Sequence, residues 1–322
     1  MIGTKKLLIP LSFFSILNLL FIQSPPEKKS ALDKIKVIAS VFPLFEMARC
    51  VAGERGEVSL LVPPGAEVHT WQPRPSDILK INSADVFIYI GASLEPWLQD
   101  VLRGVSNQLL KVLEANRGFS LMKEEAEHLQ KEEQGLLKGE HDKTHAYLDP
   151  HIWLDFGIDQ KIVDQVEQTL TEIAPESRDY FQKNAHFYKE KLGELDEKYR
   201  ESLSNCRLRT FIVGGHAAFG YLARRYNLQQ VALYGLSPDS KPTPKQLIEV
   251  VELAKKYQIK VIYFEKLISN ELARVVAKEV GAKTLVLNAG ANITKDDLKS
   301  GTTFLEIMEK NLENLRDGLN CR

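Results

Sequence analysis

Three histidines lie at positions where a polar side chain can reach a bound ligand. His69 ends a loop rich in proline and glycine that follows a predicted strand, and His216 follows two glycines after another predicted strand. His151 precedes a long helical pattern. Because ligands of open α/β sheets bind beyond the carboxyl ends of the strands, these three side chains are candidates for one shared site.

The residue types favour zinc as the ligand of such a site. Three neutral imidazoles suit Zn²⁺, which prefers nitrogen and sulfur donors, whereas Mn²⁺ and Mg²⁺ favour oxygen donors. The fourth position is open to water, to Glu67 from the loop of His69, or to Glu265 after a further strand. The candidate metal ligands are therefore His69, His151, His216, Glu67 and Glu265, and no residue is assigned a catalytic role.

The remaining four histidines are weaker candidates. His186 lies inside a helical pattern, and we interpret it as structural. The other three lie in the segment 123–145, together with seven acidic residues and four lysines; they are His128, His141 and His145. Little apolar surface is available there, which predicts a mobile surface insertion. Its histidines either bind ions weakly or belong to a solvated charged loop.

The hydrophobic pattern predicts the elements that position these side chains. Short β-branched strands alternate with helical patterns on both sides of a long helical run. This alternation indicates an α/β protein, with two α/β lobes of mostly parallel sheets joined by a long rigid helix. The predicted strands are 35–40, 58–62 and 86–90, then 210–213, 230–234, 261–264 and 284–287. The predicted domains are an N-terminal lobe (33–157), a helical strut (158–204, with a boundary at Pro175) and a C-terminal lobe (205–322).

The N-terminus has the pattern of a secretory signal peptide. Lys5 and Lys6 precede an apolar stretch at 7–22, and a polar segment follows it. A basic start, a short apolar centre and a polar exit predict a signal over residues 1–24 and export to the periplasm. A retained signal that tethers the protein to the membrane is the alternative. Since no cysteine follows the apolar centre, we expect no lipid anchor.

Export determines how the three cysteines are interpreted. They contain no CxxC pair, which excludes a cysteine zinc finger and a thioredoxin-type redox centre. In an oxidising compartment distant cysteines usually pair. We therefore expect a disulfide between Cys206 and Cys321 that holds the C-terminal helix, and a buried free thiol at Cys50. Three reduced cysteines are the alternative.

Composition and absent motifs exclude other classes of protein. The chain has 322 residues, with 42 Lys+Arg against 43 Asp+Glu, and so lacks the basic excess of a nucleic-acid-binding protein. Hydrophobic residues make 44% and charged residues 26%, as in soluble globular proteins. The patterns GxxxxGK[ST], HExxH and GxSxG are absent. Their absence argues against an ATPase P-loop, a zincin and a nucleophile-elbow hydrolase.

Three segments resemble the metal-binding segments of a known family. Residues 62–77 (VPPGAEVHTWQPRPSD), 149–155 (DPHIWLD) and 214–221 (GGHAAFGY) are similar to those of the solute-binding proteins of zinc and manganese ABC transporters. The resemblance covers residues 34–322. It implies a two-lobed receptor with the ion between its lobes, and it carries the family's ligand histidines onto His69, His151 and His216.

The resemblance also bears on the choice of metal. An acidic, histidine-bearing insertion is similar to that of the zinc-specific members, whereas manganese members tend to have a carboxylate where His216 stands. Many members have an acid at the last ligand position, where this chain has Asn288. The histidine at 216 and the asparagine at 288 both favour zinc, and these two differences leave the fourth ligand open.

The expected function is an exported, monomeric zinc receptor that delivers Zn²⁺ to an ABC permease with a separate ATPase. It is expected to be neither an enzyme nor a nucleic-acid-binding protein. A manganese or iron receptor of the same family is the nearest alternative. The others are a three-histidine zinc hydrolase with Glu265 or Glu67 as its base, and a cell-adhesion protein.

Overall fold

The computed structural model describes residues 34–92, 94–123, 148–236 and 242–322. The predicted signal peptide at 1–24 lies outside these residues. So do nearly all residues of the predicted insertion, including its three histidines. Among the described residues, no helix has the length and apolar character needed to cross a membrane.

The first half of the chain forms a four-stranded parallel sheet. Its strands have the order β2-β1-β3-β4. The central strand β3 is buried at every position, as expected for a parallel strand covered on both faces. The strands are β1 (Ile35–Ala39), β2 (Gly56–Leu60), β3 (Val86–Tyr89) and β4 (Lys111–Glu114), with helices α1 (Phe42–Ala52), α2 (Pro75–Asn82) and α3 (Leu98–Gly104). Strand β4 is not predicted from the sequence, because this edge strand is short and half exposed.

The predicted strut consists of two consecutive helices that pack on each other, α4 (Phe156–Ile173) and α5 (Arg178–Ser204). A turn that begins at Pro175 separates them, at the predicted boundary. Helix α5 has 27 residues and is therefore about 40 Å long. Near its start the Asn184 amide donates to the Val51 carbonyl of α1, and near its end the Tyr199 hydroxyl donates to Met308 in the last helix of the chain. One rigid helix thus contacts both halves of the molecule.

The second half repeats the topology of the first. Its parallel strands have the order β6-β5-β7-β8, which matches the order of the first sheet strand for strand. The sequence shows no repeat. The strands are β5 (Thr210–Val213), β6 (Gln229–Ala232), β7 (Val261–Phe264) and β8 (Lys283–Val286), with helices α6 (Gly220–Arg225), α7 (Pro244–Lys256), α8 (Glu271–Val280), α9 (Lys295–Lys299) and α10 (Phe304–Leu319). The predicted fold class is confirmed.

The cysteines pair as expected, with one correction. Cys206 and Cys321 form a disulfide that joins the chain just before β5 to the second residue after the end of α10. Cys50 is a free thiol. It is half-buried on α1 rather than buried, because α1 turns it toward the rim of the core instead of into it.

Candidate metal centre

The structure brings the three candidate histidines together. Nε2 of His151 lies 3.3 Å from Nε2 of His69 and 3.1 Å from Nε2 of His216. Candidate ligand atoms of all three lie within 4.8 Å of one another. A tetrahedral Zn²⁺ with Zn–N bonds of about 2.0–2.1 Å separates its ligand nitrogens by about 3.3 Å. The spacing of the imidazoles therefore suits one tetrahedral ion.

His69 is placed by the loop between β2 and α2. This loop turns at Gly65, which has a φ of +89° that favours glycine. Beyond the turn, Glu67 Oε1 accepts a hydrogen bond from the His69 backbone N–H at 3.1 Å, and the Glu67 carbonyl accepts one from the Trp71 N–H. Burial, and then the two neighbouring imidazoles, lower the pKa of His69 to about 2. Its ring is therefore neutral, as a metal ligand must be.

His151 lies fully buried at the entry to the strut. Its ring Nδ1 is 2.8 Å from Oδ1 of Asp149, and its backbone N–H donates to the same oxygen at 2.9 Å. A proton on Nδ1 donates to this carboxylate and leaves the lone pair of Nε2 pointing at the other histidines, a common arrangement around metal ligands. Burial lowers the pKa of His151, and the opposing effect of Asp149 does not offset it.

His216 follows β5 on two glycines that close packing requires. A Cβ on Gly214 would come within 2.3 Å of a side-chain carbon of α8, and one on Gly215 within 2.8 Å of Glu265 Oε1. Nδ1 of His216 is 2.6 Å from the same Glu265 oxygen, although the angle is poor for a ring N–H hydrogen bond. Burial lowers the pKa of His216, but the adjacent Glu265 together with the charges of Glu67 and Asp149 outweighs burial, so the pKa is raised from its ordinary value.

The two candidate carboxylates lie beside the cluster of histidines in different ways. Glu265 is buried and contacts Nδ1 of His216 rather than adding an oxygen to the group of Nε2 atoms. Glu67 holds the His69 backbone and lines the cleft over the site. Asn288 lines the same cleft, and its Oδ1 accepts from the Gly290 N–H at 2.9 Å.

The role of Asp149 was not predicted from the sequence. The available signal was an acid two residues before a histidine, which is the spacing that here lets Oδ1 contact both the ring and the backbone of that histidine. His186 lies on the exposed face of α5, 3.3 Å from Glu190 one turn later.

Comparison with known proteins places the chain among zinc-binding proteins. Residues 37–318 match the family described as zinc-uptake complex component A, periplasmic, ZnuA. The chain is 35% identical to the high-affinity zinc uptake system protein ZnuA of Bacillus subtilis, over 89% of this chain and 88% of that protein. It is also 35% identical to the zinc-binding protein AdcA of Streptococcus pyogenes, over 97% of this chain. It spans only 61% of that relative's length.

Solved structures have the same fold. The Zn(II)-bound ZnuA-like domain of Streptococcus pneumoniae AdcA superposes with a TM-score of 0.74 at 34% identity, covering 89% of this chain and 99% of that domain. The laminin-binding protein Lmb of Streptococcus agalactiae, described as a bifunctional adhesin and metal transporter, gives 0.77 at 28% identity, covering 89% of this chain and all of that one.

Proposed function

This chain belongs to the ZnuA family of zinc-uptake complex components, and we propose that it is a receptor that binds Zn²⁺ and delivers it to an ABC-type membrane permease. The observation that carries the proposal is the convergence of three Nε2 atoms on one point. The relatives named for zinc binding and zinc uptake support it.

The donor set favours zinc over manganese. All three converging donors are imidazole nitrogens, which suit Zn²⁺, and Mn²⁺ favours carboxylate oxygens. Many members of the family are expected to have an acid at the last ligand position. This chain has Asn288 there, and its side-chain oxygen accepts a hydrogen bond from the Gly290 backbone N–H. We propose that water or Glu67 fills the fourth position, because Glu265 is held against His216 Nδ1.

Two buried carboxylates prepare the site for capture. Asp149 and Glu265 each lie against the Nδ1 atom of one histidine and so direct its Nε2 toward the cluster. Because the rings are already oriented, little ordering entropy opposes binding. Carboxylates at Nδ1 also raise the basicity of the ligands. The site is thus arranged to bind a dehydrated divalent ion tightly.

The proposed role also implies a cellular location, partner chains and a division into lobes. We propose an exported, periplasmic, monomeric protein, with the permease and its ATPase on separate chains. The proposed units are the lobes 33–157 and 205–322 joined by the strut 158–204. Transport is favoured over hydrolysis, because Glu265, one of the two bases that a hydrolase would use, is engaged by a ligand histidine.

Elemental analysis and titration of the purified protein test the proposal. We expect one zinc per chain and displacement of manganese by zinc in competition. A triple alanine variant at His69, His151 and His216 should lose tight zinc binding while its circular dichroism spectrum is retained. Nanomolar zinc binding by the folded triple variant would contradict the proposed function.

A further inference from the structure

A short segment after β8 crosses from the second half of the molecule to the first. We call residues 289–293 the strap. Three of its backbone carbonyls, at every second residue, accept hydrogen bonds from the first half and from the turn that precedes α4. These bonds run from the Trp153 indole to Ala289 at 2.7 Å, from the Phe42 amide to Ala291 at 3.0 Å, and from the Gly65 amide to Ile293 at 2.8 Å.

Asn292 adds two bonds from its side chain. Its Nδ2 donates to the carbonyls of Pro63 at 2.8 Å and Ala66 at 2.7 Å, both in the loop that carries His69. Its Oδ1 accepts from the Ile293 backbone N–H at 2.8 Å. If the Asn292 amide were flipped, its NH₂ group would face the Ile293 N–H, and two donors would meet. The bond to Ile293 therefore determines the orientation of the side chain. Asn292 is only 3% exposed, and both of its donor hydrogens are used.

These bonds act on the base of the His69 loop. Residues 63, 65 and 66 are each held by the strap, and His69 is three residues further along the chain. The rings of His151 and His216 are each oriented by a carboxylate on Nδ1. The position of His69, in contrast, depends on where its loop is held, and the holding group belongs to the other half of the molecule.

We propose that Asn292 is a positioning residue for the zinc ligand His69, a role that rests on the proposed function. By bonding to both Pro63 and Ala66, it keeps the loop where Nε2 of His69 meets the other two imidazoles. The completed site therefore requires the two halves to be in contact through the strap.

The affinity test uses Asn292→Ala, Asn292→Asp and a matched control. In the control, Asn314→Ala, the lost amide donates to the Val286 carbonyl at 2.8 Å within the second half. We expect both Asn292 variants to bind zinc at least about tenfold more weakly, with faster dissociation into a chelator, as for lost supporting groups around metal ligands. The control should stay within about twofold, because it lies outside the contact between the halves. Wild-type affinity in a folded Asn292→Ala protein would overturn the proposal.

A double-mutant cycle separates positioning from general destabilisation. If Asn292 acts through His69, Asn292→Ala should lose its effect on zinc affinity in a His69→Ala background. An undiminished effect in that background would show a merely structural role and overturn the proposal.

Hydrogen exchange tests, without any metal, whether Asn292 holds the loop that carries His69. In the metal-free Asn292→Ala protein, the Gly65 amide should exchange faster than in the wild type, while amides of β7 keep their rates. Unchanged exchange at Gly65 would overturn the proposal even if zinc affinity fell. If the wild type bound no zinc, the proposed function would fail, and this measurement would still decide whether Asn292 holds the loop.

Discussion

Zinc binding should release about one proton per ion at pH values below the raised pKa of His216. Nε2 of His151 and Nε2 of His216 are 3.1 Å apart, close enough in the metal-free protein for a proton on one nitrogen to be shared with the other. The pKa of His216 is raised by Glu265, whereas the pKa of His69 falls to about 2 and that of His151 is also lowered. His216 therefore carries the proton that zinc must displace.

The sign and size of the effect follow from linkage. Below the raised pKa of His216, the metal-free protein is protonated there, so zinc affinity falls as the pH falls. One displaced proton lowers the affinity about tenfold per pH unit, whereas three ordinary imidazoles would approach a thousandfold per unit below a pKa of about 6.5. Above the pKa of His216, the three histidines are all neutral and should contribute no further pH dependence to the zinc affinity.

Competition titrations with a chelator of known pH dependence, run from pH 5 to pH 8, measure this slope. Calorimetry in buffers of different ionisation enthalpy counts the released protons directly. In Glu265→Gln the charge that raises the pKa of His216 is lost, so the onset of the decline should move to lower pH. A slope near three, or an onset that Glu265→Gln leaves unchanged, would refute this account of the site.

Three further predictions concern the support of the site and the fold. Asp149→Asn removes the charge at Nδ1 of His151 and should weaken zinc binding about tenfold or more by calorimetry; unchanged affinity would contradict its orienting role. Replacing Cys206 and Cys321 by serine removes a disulfide between residues 115 positions apart, and should lower the free energy of unfolding by up to about 5 kcal/mol in urea titrations. A change in zinc affinity in this variant would show instead that the disulfide shapes the metal site. Gly214→Ala should reduce both the melting temperature and the zinc affinity, because its Cβ would come within 2.3 Å of α8. A variant with unchanged melting temperature and zinc affinity would show that α8 moves to accommodate the added carbon.

Local sequence was a good guide to the elements and to the residue types of the site. The buried strand β3 is an unbroken apolar run, β5 is apolar after Thr210, and Pro175 marked the turn between α4 and α5. The edge strand β4 was missed, because its exposed residues carry no clear alternation. The half-buried position of Cys50 was also missed, since burial depends on which neighbours pack against a helix face.

The sequence by itself determined that histidines stand after strands and at the entry to the strut, because strand and helix patterns and the Gly-Gly and Pro-Gly turns are local properties. Only the tertiary structure decided that these side chains meet. His69 and His216 lie 82 and 65 residues from His151 along the chain, and their rings converge because the two sheets and the 27-residue helix that contacts both halves hold the segments that carry them. Packing also set Glu265 behind His216 and brought Asn292 to a loop 226 residues away. Such distances depend on contacts between remote segments, which no local pattern encodes.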